Sequence, residues 1–397
     1  MLEATVRDRL ELFKAASRRS EVPPFMVMDV MAAAERIEAA GGHVIHMEVG
    51  QPAAPAPKSA IAAAHRALDG ARIDYTSALG ILSLRERIAR HYRKTYRCSV
   101  DPGRIVVTTG SSGAFILAFL AMFEPGDRVA VTVPGYPPYR HILAALGCEP
   151  VLIETPCETR HALTGEALLA AHRKKPLKGV LVASPANPTG TMMSREALTS
   201  VIAAAEGAGI RFISDEIYHG LDYAFPAVTA VELSPHALVI NSFSKYFCMT
   251  GWRIGWMVAP ETLVRPIERL QQNLAISVPT LSQFAAEAAF DGVDEMEAVK
   301  RGYVENRRIL IEGLPRAGLK RFLPADGAFY LYADVSDFTS DSFAFAKRML
   351  DEAHVAATPG VDFDPVHGKN FIRFSYARSV DDMREAVQRI ARWLGRM

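Results

Sequence analysis

Short apolar runs rich in β-branched residues alternate with Ala- and Leu-rich stretches of helical spacing from about residue 105 onward. The runs predicted as buried strands are 105–109, 128–133, 151–153, 179–183, 211–214 and 237–241. Helical patterns lie between several of them, at 114–123, 138–146 and 195–208. Strands and helices in alternation predict a largely parallel sheet with helices on both faces, and such sheets bind ligands beyond the carboxyl ends of their strands.

The pattern changes near residue 290, where the sequence predicts a second unit. A charged helical pattern over 296–314 is followed by a strand at 329–333, a helix at 342–354 and a strand at 371–376, an order typical of a sheet packed against helices. A helix over 28–40 precedes the main alternation. We therefore expect an α/β fold with a large domain over 51–292, a smaller α+β domain over 293–397, and an N-terminal segment, 1–50, that packs with the small domain.

Composition and charge narrow the class of protein. The chain has 397 residues, 49% of them hydrophobic and 22% charged, which is typical of a globular protein and is long enough for two domains. Because 45 Lys and Arg are balanced by 44 Asp and Glu, we expect neither a nucleic acid nor an anionic membrane as a partner. The longest apolar stretch, 115–123, is about half of the ~20 residues that span a bilayer.

Two further features concern the cellular compartment. The first twenty residues mix Arg with Glu and Asp and contain no continuous apolar segment, so we expect neither a signal peptide nor a transit peptide. The four cysteines, Cys98, Cys148, Cys157 and Cys248, form no CxxC pair and have no histidine at a zinc-binding spacing. They are interpreted as packing residues of a cytoplasmic protein without a metal site.

Polar motifs follow several predicted strands. Gly110-Ser-Ser-Gly opens a helix after the strand at 105–109, so its backbone amides and the helix dipole favour an anion such as phosphate, although Ser111 or Ser112 as a simple helix cap is the alternative. Ser184-Pro-Ala-Asn-Pro-Thr-Gly makes a stiff turn that can orient the amide of Asn187. Asp215 and Tyr218, in Ser214-Asp-Glu-Ile-Tyr, lie at the end of the next strand, where helix capping is the alternative role for a lone aspartate.

The segment Asn241-Ser-Phe-Ser-Lys-Tyr-Phe-Cys-Met-Thr-Gly-Trp-Arg-Ile-Gly carries the most information. It places Lys245 among aromatic residues, with hydroxyls at Ser242 and Ser244 and a guanidinium at Arg253. A partly desolvated lysine has a lowered pKa and can form a Schiff base with an aldehyde. The alternative is a lysine that reaches solvent from an aromatic surface.

Together these motifs supply a lysine for an aldehyde, a carboxylate for a ring nitrogen, amide and phenol donors for a ring oxygen, and an anion site, which are the groups that pyridoxal phosphate needs. From about residue 44 to 377 the chain resembles the class I/II aminotransferases of fold type I, the relatives of aspartate aminotransferase. The motifs that carry this resemblance are Asn187-Pro-Thr-Gly, Asp215-Glu-Ile-Tyr, Ser242-Phe-Ser-Lys-Tyr-Phe and Met249-Thr-Gly-Trp-Arg-Ile-Gly.

The resemblance implies a role for each matching residue. Lys245 is expected to bind the cofactor aldehyde and to move the α-proton, Asp215 to pair with the pyridine nitrogen, and Asn187 and Tyr218 to bind the ring oxygen. Tyr136 is expected on the ring face, with a plain core residue as the alternative. The residues expected around the phosphate are Ser111, Ser112, Ser242, Ser244 and Arg253.

Other implied roles concern the second subunit and the substrate. Tyr75 matches a tyrosine that reaches the phosphate of the partner subunit, which implies a homodimer; local packing is the alternative. Strand alternation separates Arg373 from its apolar neighbours, so it is expected to bind the substrate carboxylate, with a surface ion pair as the alternative. Gly50 is expected to bring its backbone close to that carboxylate, or to be a turn glycine, and Asn187 is expected at the substrate as well.

The expected reaction is transamination between an L-amino acid and a 2-oxo acid by a ping-pong mechanism. Position 112, often lysine in bacterial-type aspartate enzymes, is serine, and 271–290 contains no arginine, so aspartate is disfavoured as donor and neutral amino acids stay open. Two other functions also stay open. One is a pyridoxal-phosphate-dependent carbon–sulfur lyase on the same fold, and the other is a non-catalytic regulator or binding protein.

Overall fold

The computed structural model describes residues 16–70 and 72–395, and its central feature is a seven-stranded sheet. Across the sheet the strand order is β2-β8-β7-β6-β5-β3-β4. The bounds of these strands are Ile105–Thr108 (β2), Arg128–Val133 (β3), Glu149–Glu154 (β4), Gly179–Ala183 (β5), Arg211–Asp215 (β6), Leu238–Ser242 (β7) and Gly255–Val258 (β8). Only β8 runs against its neighbours, β2 and β7, so the other six strands all end at the same edge.

Helices cover both faces of this sheet and bury an apolar core on each. On one face the packed helices are Lys58–Gly70 (α2), Leu82–Tyr96 (α3), Gly165–Lys174 (α6), Arg195–Gly207 (α7) and Thr280–Ala289 (α10). On the other face they are Gly110–Met122 (α4), Pro137–Ala145 (α5) and Glu261–Leu274 (α9). The short helix α8, Ala230–Leu233, precedes β7. Strands β2, β5 and β7 are buried on both faces, and most of their residues are apolar.

A four-stranded antiparallel sheet forms a second core in the C-terminal part of the chain. Its strand order is β12-β13-β10-β9, with bounds Arg321–Phe322 (β9), Tyr330–Asp334 (β10), Thr358–Pro359 (β12) and Phe371–Ser375 (β13). The helices packed against it are Val293–Arg316 (α11), Ser342–Ala353 (α12) and Val380–Leu394 (α13).

The N-terminal segment contacts this second core. Helix α1, Met26–Ala39, leads to β1, Ile45–His46, which pairs in parallel with β11, Val355–Ala356. Ile45 and Met47 are buried in the same apolar cluster as the small sheet. Among the residues that the structure describes, no helix is both long and apolar enough to cross a membrane.

The predicted α/β fold, with its mostly parallel sheet between helices and a second sheet near the C-terminus, is confirmed. Strand β8 was not predicted. All four of its residues are buried, so the segment has no alternation of polar and apolar positions, and its glycine and tryptophan do not resemble the β-branched runs of the other strands. It inserts antiparallel between β2 and β7.

Candidate active site

A pocket opens between the carboxyl edge of the large sheet, the small sheet and the start of helix α1. The residues lining it that the sequence singled out are Gly50, Ser111, Ser112, Tyr136, Asn187, Tyr218, Ser244, Lys245, Arg253 and Arg373. Further lining residues are Phe25, Val27, Met28, Val49, Gln51, Tyr139, Ile217, Thr250 and Tyr330. Because the parallel strands end at one edge, residues that are far apart in sequence meet in this pocket.

Lys245 follows β7 and points its amine into the pocket. Its Nζ donates a hydrogen bond to the carbonyl oxygen of Gly50 at 2.6 Å and lies 5.7 Å from the ring centroid of Tyr218. The pKa of Lys245 is lowered to about 8, chiefly by burial and also by the positive charges of Arg373 and Arg253, while Asp215 acts in the opposite direction. A lysine with such a pKa has a substantial neutral fraction near pH 8 and can act as a nucleophile or base.

Asp215 is the last residue of β6 and lies behind the pocket, with 1% of its surface exposed. Its carboxylate accepts hydrogen bonds from the hydroxyl of Tyr139 and from the backbone amide of Ile217, the latter at 3.0 Å. The pKa of Asp215 is raised to about 6, because burial outweighs the opposing effects of the two hydrogen bonds and of Lys245. A cationic group placed close to this carboxylate would stabilise its charged form.

Two buried tyrosines meet beside Lys245. The hydroxyl oxygens of Tyr218 and Tyr330 lie 2.8 Å apart. A Cβ atom added to Gly50 would lie only 1.7 Å from the hydroxyl oxygen of Tyr330. Position 50 therefore has to be glycine for a reason that the sequence did not reveal, namely the space occupied by Tyr330.

Arg373 lies in β13 with 1% of its surface exposed. Its Nη1 donates to Oδ1 of Asn187 at 2.9 Å, and its Nη2 donates to Oγ1 of Thr358 at 3.1 Å and to the carbonyl oxygen of Glu48. The guanidinium lies between two rings, 4.5 Å from the centroid of Tyr330 and 4.6 Å from that of Phe363. Its Nε is buried and has no partner among the described residues. A fixed guanidinium with an unsatisfied N–H fits a carboxylate ligand.

A second group of lining residues has the donors that an anion needs. A Cβ atom on Gly110 would lie 2.6 Å from Nη2 of Arg253, so the arginine fills the space that this glycine leaves at the start of helix α4. Hydroxyls of Ser111, Ser112, Ser244 and Thr250 line the same pocket, and among the described lining residues there is no carboxylate. Donors of this kind at a helix N-terminus fit a phosphate group.

Two residues expected at the phosphate are placed differently. Ser242 does not line the pocket; its hydroxyl donates to Oγ of Ser244 at 2.9 Å and so supports a lining residue. Tyr75 is 79% exposed and lies outside the pocket of its own chain. That exposure is compatible with the expected contact to a second subunit, which stays a prediction.

Sequence reasoning missed Tyr139 and Tyr330. Tyr139 lies three residues after Tyr136 at the start of helix α5, and the two rings pack edge to face at 5.2 Å between centroids. Tyr330 was interpreted only as part of an apolar strand. In both cases the hydroxyl that bonds a site residue belongs to a side chain whose ring also packs in the core, so no polar pattern marks it.

Comparison with known proteins places these features in context. The family described as "Aminotransferase class I and II" matches residues 42–390. A valine–pyruvate aminotransferase from Mycobacterium tuberculosis is 47% identical over 380 residues, covering 95% of this chain and 97% of that protein. An aspartate aminotransferase from Thermotoga maritima is 32% identical over 382 residues, covering 95% and 99%.

Solved structures give the same result for the fold. The crystal structure of an aminotransferase from Mycobacterium tuberculosis matches with a TM-score of 0.94 at 47% identity, covering 96% of this chain and 100% of that one. The aspartate aminotransferase of Thermus thermophilus with maleate matches with a TM-score of 0.90 at 32% identity, covering 95% and 99%. Similarity in sequence and in fold therefore extends over nearly the whole chain.

Proposed function

Because the chain belongs to the class I and II aminotransferase family, we propose that its pocket transfers the amino group of a neutral aliphatic L-amino acid to a small 2-oxo acid. Membership of the family establishes the general reaction, amino-group transfer between amino acids and 2-oxo acids, and pyridoxal phosphate as the cofactor. Nothing in the comparisons favours the carbon–sulfur lyase.

We propose that this pocket, with Asp215 behind it, holds the cofactor. When bound, pyridoxal phosphate supplies an aldehyde that captures amines and a ring that withdraws electrons from the substrate α-carbon. We assign the aldehyde to Lys245, the ring nitrogen to Asp215 and the ring face to Tyr136. The ring oxygen is assigned to Asn187 and Tyr218. The phosphate is assigned to the anion site, whose proposed members are Ser111, Ser112, Ser244 and Arg253, with Ser242 supporting Ser244. The Gly110–Arg253 contact and the buried carboxylate of Asp215 support these assignments.

The substrate roles follow from the polar groups that remain. Arg373 binds the α-carboxylate through its unpartnered Nε, and its bond to Asn187 links the substrate side of the pocket to the cofactor side. Lys245 takes the proton from the substrate α-carbon on Nζ, which its pKa of about 8 makes available as a neutral amine. The carbonyl of Gly50, at 2.6 Å, holds that amine in place. Since the first 2-oxo acid leaves before the second enters, we expect ping-pong kinetics.

One observation supports a neutral aliphatic donor, namely the apolar side chains that line part of the pocket. Phe25, Val27, Met28, Val49 and Ile217 line it. The cationic side chains among the described lining residues are Lys245, Arg253 and Arg373, and each already has a role above. A second substrate carboxylate would therefore have no further cation to pair with among the described lining residues of its own chain, and burying an unpaired charge costs free energy. The relative named valine–pyruvate aminotransferase supports an aliphatic donor and pyruvate as acceptor.

A donor panel tests this proposal. The holoenzyme is assayed with pyruvate as acceptor and with valine, alanine, methionine, phenylalanine or aspartate as donor. We expect a higher kcat/KM for valine than for aspartate. Val27→Thr, which adds a hydroxyl to the wall, should lower the preference for valine over alanine, whereas Val22→Thr, outside the pocket, should leave it unchanged. A preference for aspartate would overturn the donor class, and release of ammonia without an acceptor would support the lyase instead.

We also propose a homodimer in which Tyr75 completes the phosphate site of the partner subunit. The exposure of Tyr75 supports this arrangement. The preceding residue, Asp74, is held by a hydrogen bond from the hydroxyl of Thr280 to its carbonyl oxygen, and Ile276 in the same region is 50% exposed. Sedimentation should give twice the chain mass, and Tyr75→Phe should weaken cofactor binding. A fully active monomer would contradict the arrangement.

The domain division and the compartment are proposals too. We divide the chain into the N-terminal segment 1–50, the large domain 51–292 and the small domain 293–397. The pairing of β1 with β11 supports grouping the N-terminal segment with the small domain. A cytoplasmic location is supported by the four free cysteines. Limited proteolysis near residue 292 and cell fractionation test these two points.

A further inference from the structure

We propose that Tyr330 is a positioning residue for both halves of the active site, with its hydroxyl orienting Tyr218 and its ring holding the guanidinium of Arg373. This inference rests on the proposed function, in which Tyr218 binds the cofactor oxygen and Arg373 the substrate carboxylate. Tyr330 itself is assigned neither to the cofactor-binding residues nor to the substrate-binding residues. One side chain in the small sheet then couples the cofactor side of the pocket to the substrate side.

The hydroxyl of Tyr330 has a single hydrogen-bond partner among the described residues. That partner is the hydroxyl of Tyr218, at 2.8 Å, and Tyr218 has no other in return. Each hydroxyl carries one proton, so only one of the two can donate along this contact. If Tyr330 donates, the proton of Tyr218 is free for an acceptor in the pocket, and donation by Tyr330 also strengthens Tyr218 as a donor.

The position of this hydroxyl is fixed from the other side by Gly50. Tyr330 is 1% exposed, and its hydroxyl occupies the space where a Cβ of residue 50 would stand. The carbonyl of the same glycine accepts the bond from Lys245. Tyr330 therefore limits the position of the backbone that holds the reactive amine.

The ring of Tyr330 acts on Arg373. The guanidinium carbon lies 4.5 Å from the ring centroid, and the ring of Phe363 covers its other side at 4.6 Å. An arginine between two aromatic faces keeps its charge and has little freedom to rotate. In the β10–β13 pairing Tyr330 faces Ser375, two residues from Arg373 along the strand, so backbone hydrogen bonds fix the distance between the two side chains.

Tyr332 provides a matched control on the same strand. It is also buried, its ring stacks on Phe371 at 4.6 Å, and its hydroxyl has no hydrogen-bond partner among the described residues. Tyr332→Phe therefore removes the same atom, a buried phenol oxygen of β10, but breaks no hydrogen bond. Any effect that Tyr330→Phe shows and Tyr332→Phe lacks belongs to the contacts of this hydroxyl with Tyr218 or Gly50, which a double-mutant cycle separates.

The hydroxyl role is tested by titrating the holoenzyme with pH and following the absorbance of the bound cofactor. Donation from Tyr218 stabilises negative charge on the ring oxygen and so lowers the midpoint of this titration. Tyr330→Phe should therefore raise the midpoint by about 0.5–1 pH unit, which is the equivalent of one hydrogen bond. Arg373, Tyr136 and Lys245 also face Tyr218, and all three stay intact in this variant.

A double-mutant cycle decides whether the effect passes through Tyr218. In a Tyr218→Phe background, Tyr330→Phe should shift the midpoint no further. An equal shift in both backgrounds, or no shift in the wild-type background, would overturn the hydroxyl role. Tyr332→Phe should leave the midpoint where it is.

The ring role is tested by binding without turnover. Isovalerate, a carboxylate that resembles valine without its amino group, is titrated into the holoenzyme and its Kd is read from the cofactor absorbance. We expect Tyr330→Phe to bind it within about twofold of wild type and Tyr330→Leu to bind it about tenfold more weakly, since only leucine removes the aromatic face. Equal Kd values for the two variants would refute the ring role. Both titrations compare variants with the wild type and neither requires turnover. Failure of the ring role therefore appears as equal Kd values, whereas failure of the proposed donor class appears in the panel of amino acids.

Discussion

Replacing Arg373 by lysine tests the substrate end of the site most sharply, because it keeps the charge and removes the planar guanidinium. The structure shows Arg373 bonded to Asn187, Thr358 and the carbonyl of Glu48, with Nε left for a ligand. Lysine has three donors on one nitrogen, so it cannot satisfy these partners and also present a separate N–H to a carboxylate.

The size of the effect follows from the lost bond. A hydrogen bond to a charged group contributes about 1.5–3 kcal/mol, which corresponds to a loss of about 10- to 150-fold in kcat/KM for the amino donor. We expect most of the loss in KM, since the carboxylate is bound in both the ground state and the transition state. The assay is steady-state transfer from valine to pyruvate, with cofactor content measured by absorbance.

The matched control for this change is Arg307→Lys. Arg307 also lies in the C-terminal part of the chain and donates to a carbonyl, that of Ala325, but it does not line the pocket. This variant should retain the kcat/KM of the wild type. If Arg373→Lys binds the full complement of cofactor and its kcat/KM is unchanged as well, the assignment of Arg373 to the carboxylate is refuted.

Three further predictions concern other parts of the site. In the cofactor-free protein, uptake of pyridoxal phosphate should accelerate as pH rises and Lys245 loses its proton, with a midpoint near 8; a midpoint near the ordinary lysine value of about 10.5 would contradict the lowered pKa. Gly50→Ala should lower the free energy of unfolding by about 1–3 kcal/mol in a denaturant titration, because its Cβ would overlap the hydroxyl of Tyr330, and part of that loss should return in a Tyr330→Phe background. Tyr139→Phe removes a hydrogen bond that lowers the pKa of Asp215, so the acidic limb of the kcat/KM profile should move to higher pH; an unmoved limb would show that this bond does not control the carboxylate.

The sequence predicted the large sheet well because most of its inner strands are buried on both faces. The continuous apolar runs of β3, β5 and β7 leave little choice of structure, and the polar residues that follow them had to meet at one edge. For this reason Asn187, Asp215 and Lys245 could be grouped from the sequence alone. Strand β8 was not predicted, because its four buried residues follow a motif rich in glycine and show no distinctive periodicity.

Contacts between the two sheets could not be predicted in the same way. The bond from Arg373 to Asn187 joins residues 186 positions apart, and the pair of Tyr218 and Tyr330 spans 112. Such contacts depend on how the small sheet docks against the large one, which no local pattern determines. The reason for glycine at position 50 belongs to the same class, since the side chain that excludes a Cβ comes from β10.

The most direct test of the account is the absorption spectrum of the holoenzyme and of Lys245→Ala, each recorded before and after addition of valine without any 2-oxo acid. We predict that valine alone changes the cofactor spectrum of the wild type, that one equivalent of 2-oxo acid per site is released, and that pyruvate reverses the change. Lys245→Ala should bind the cofactor and show no such conversion. A holoenzyme whose spectrum no amino acid converts, or a Lys245→Ala variant that converts at the wild-type rate, would contradict the assignment of this pocket as the site of amino-group transfer.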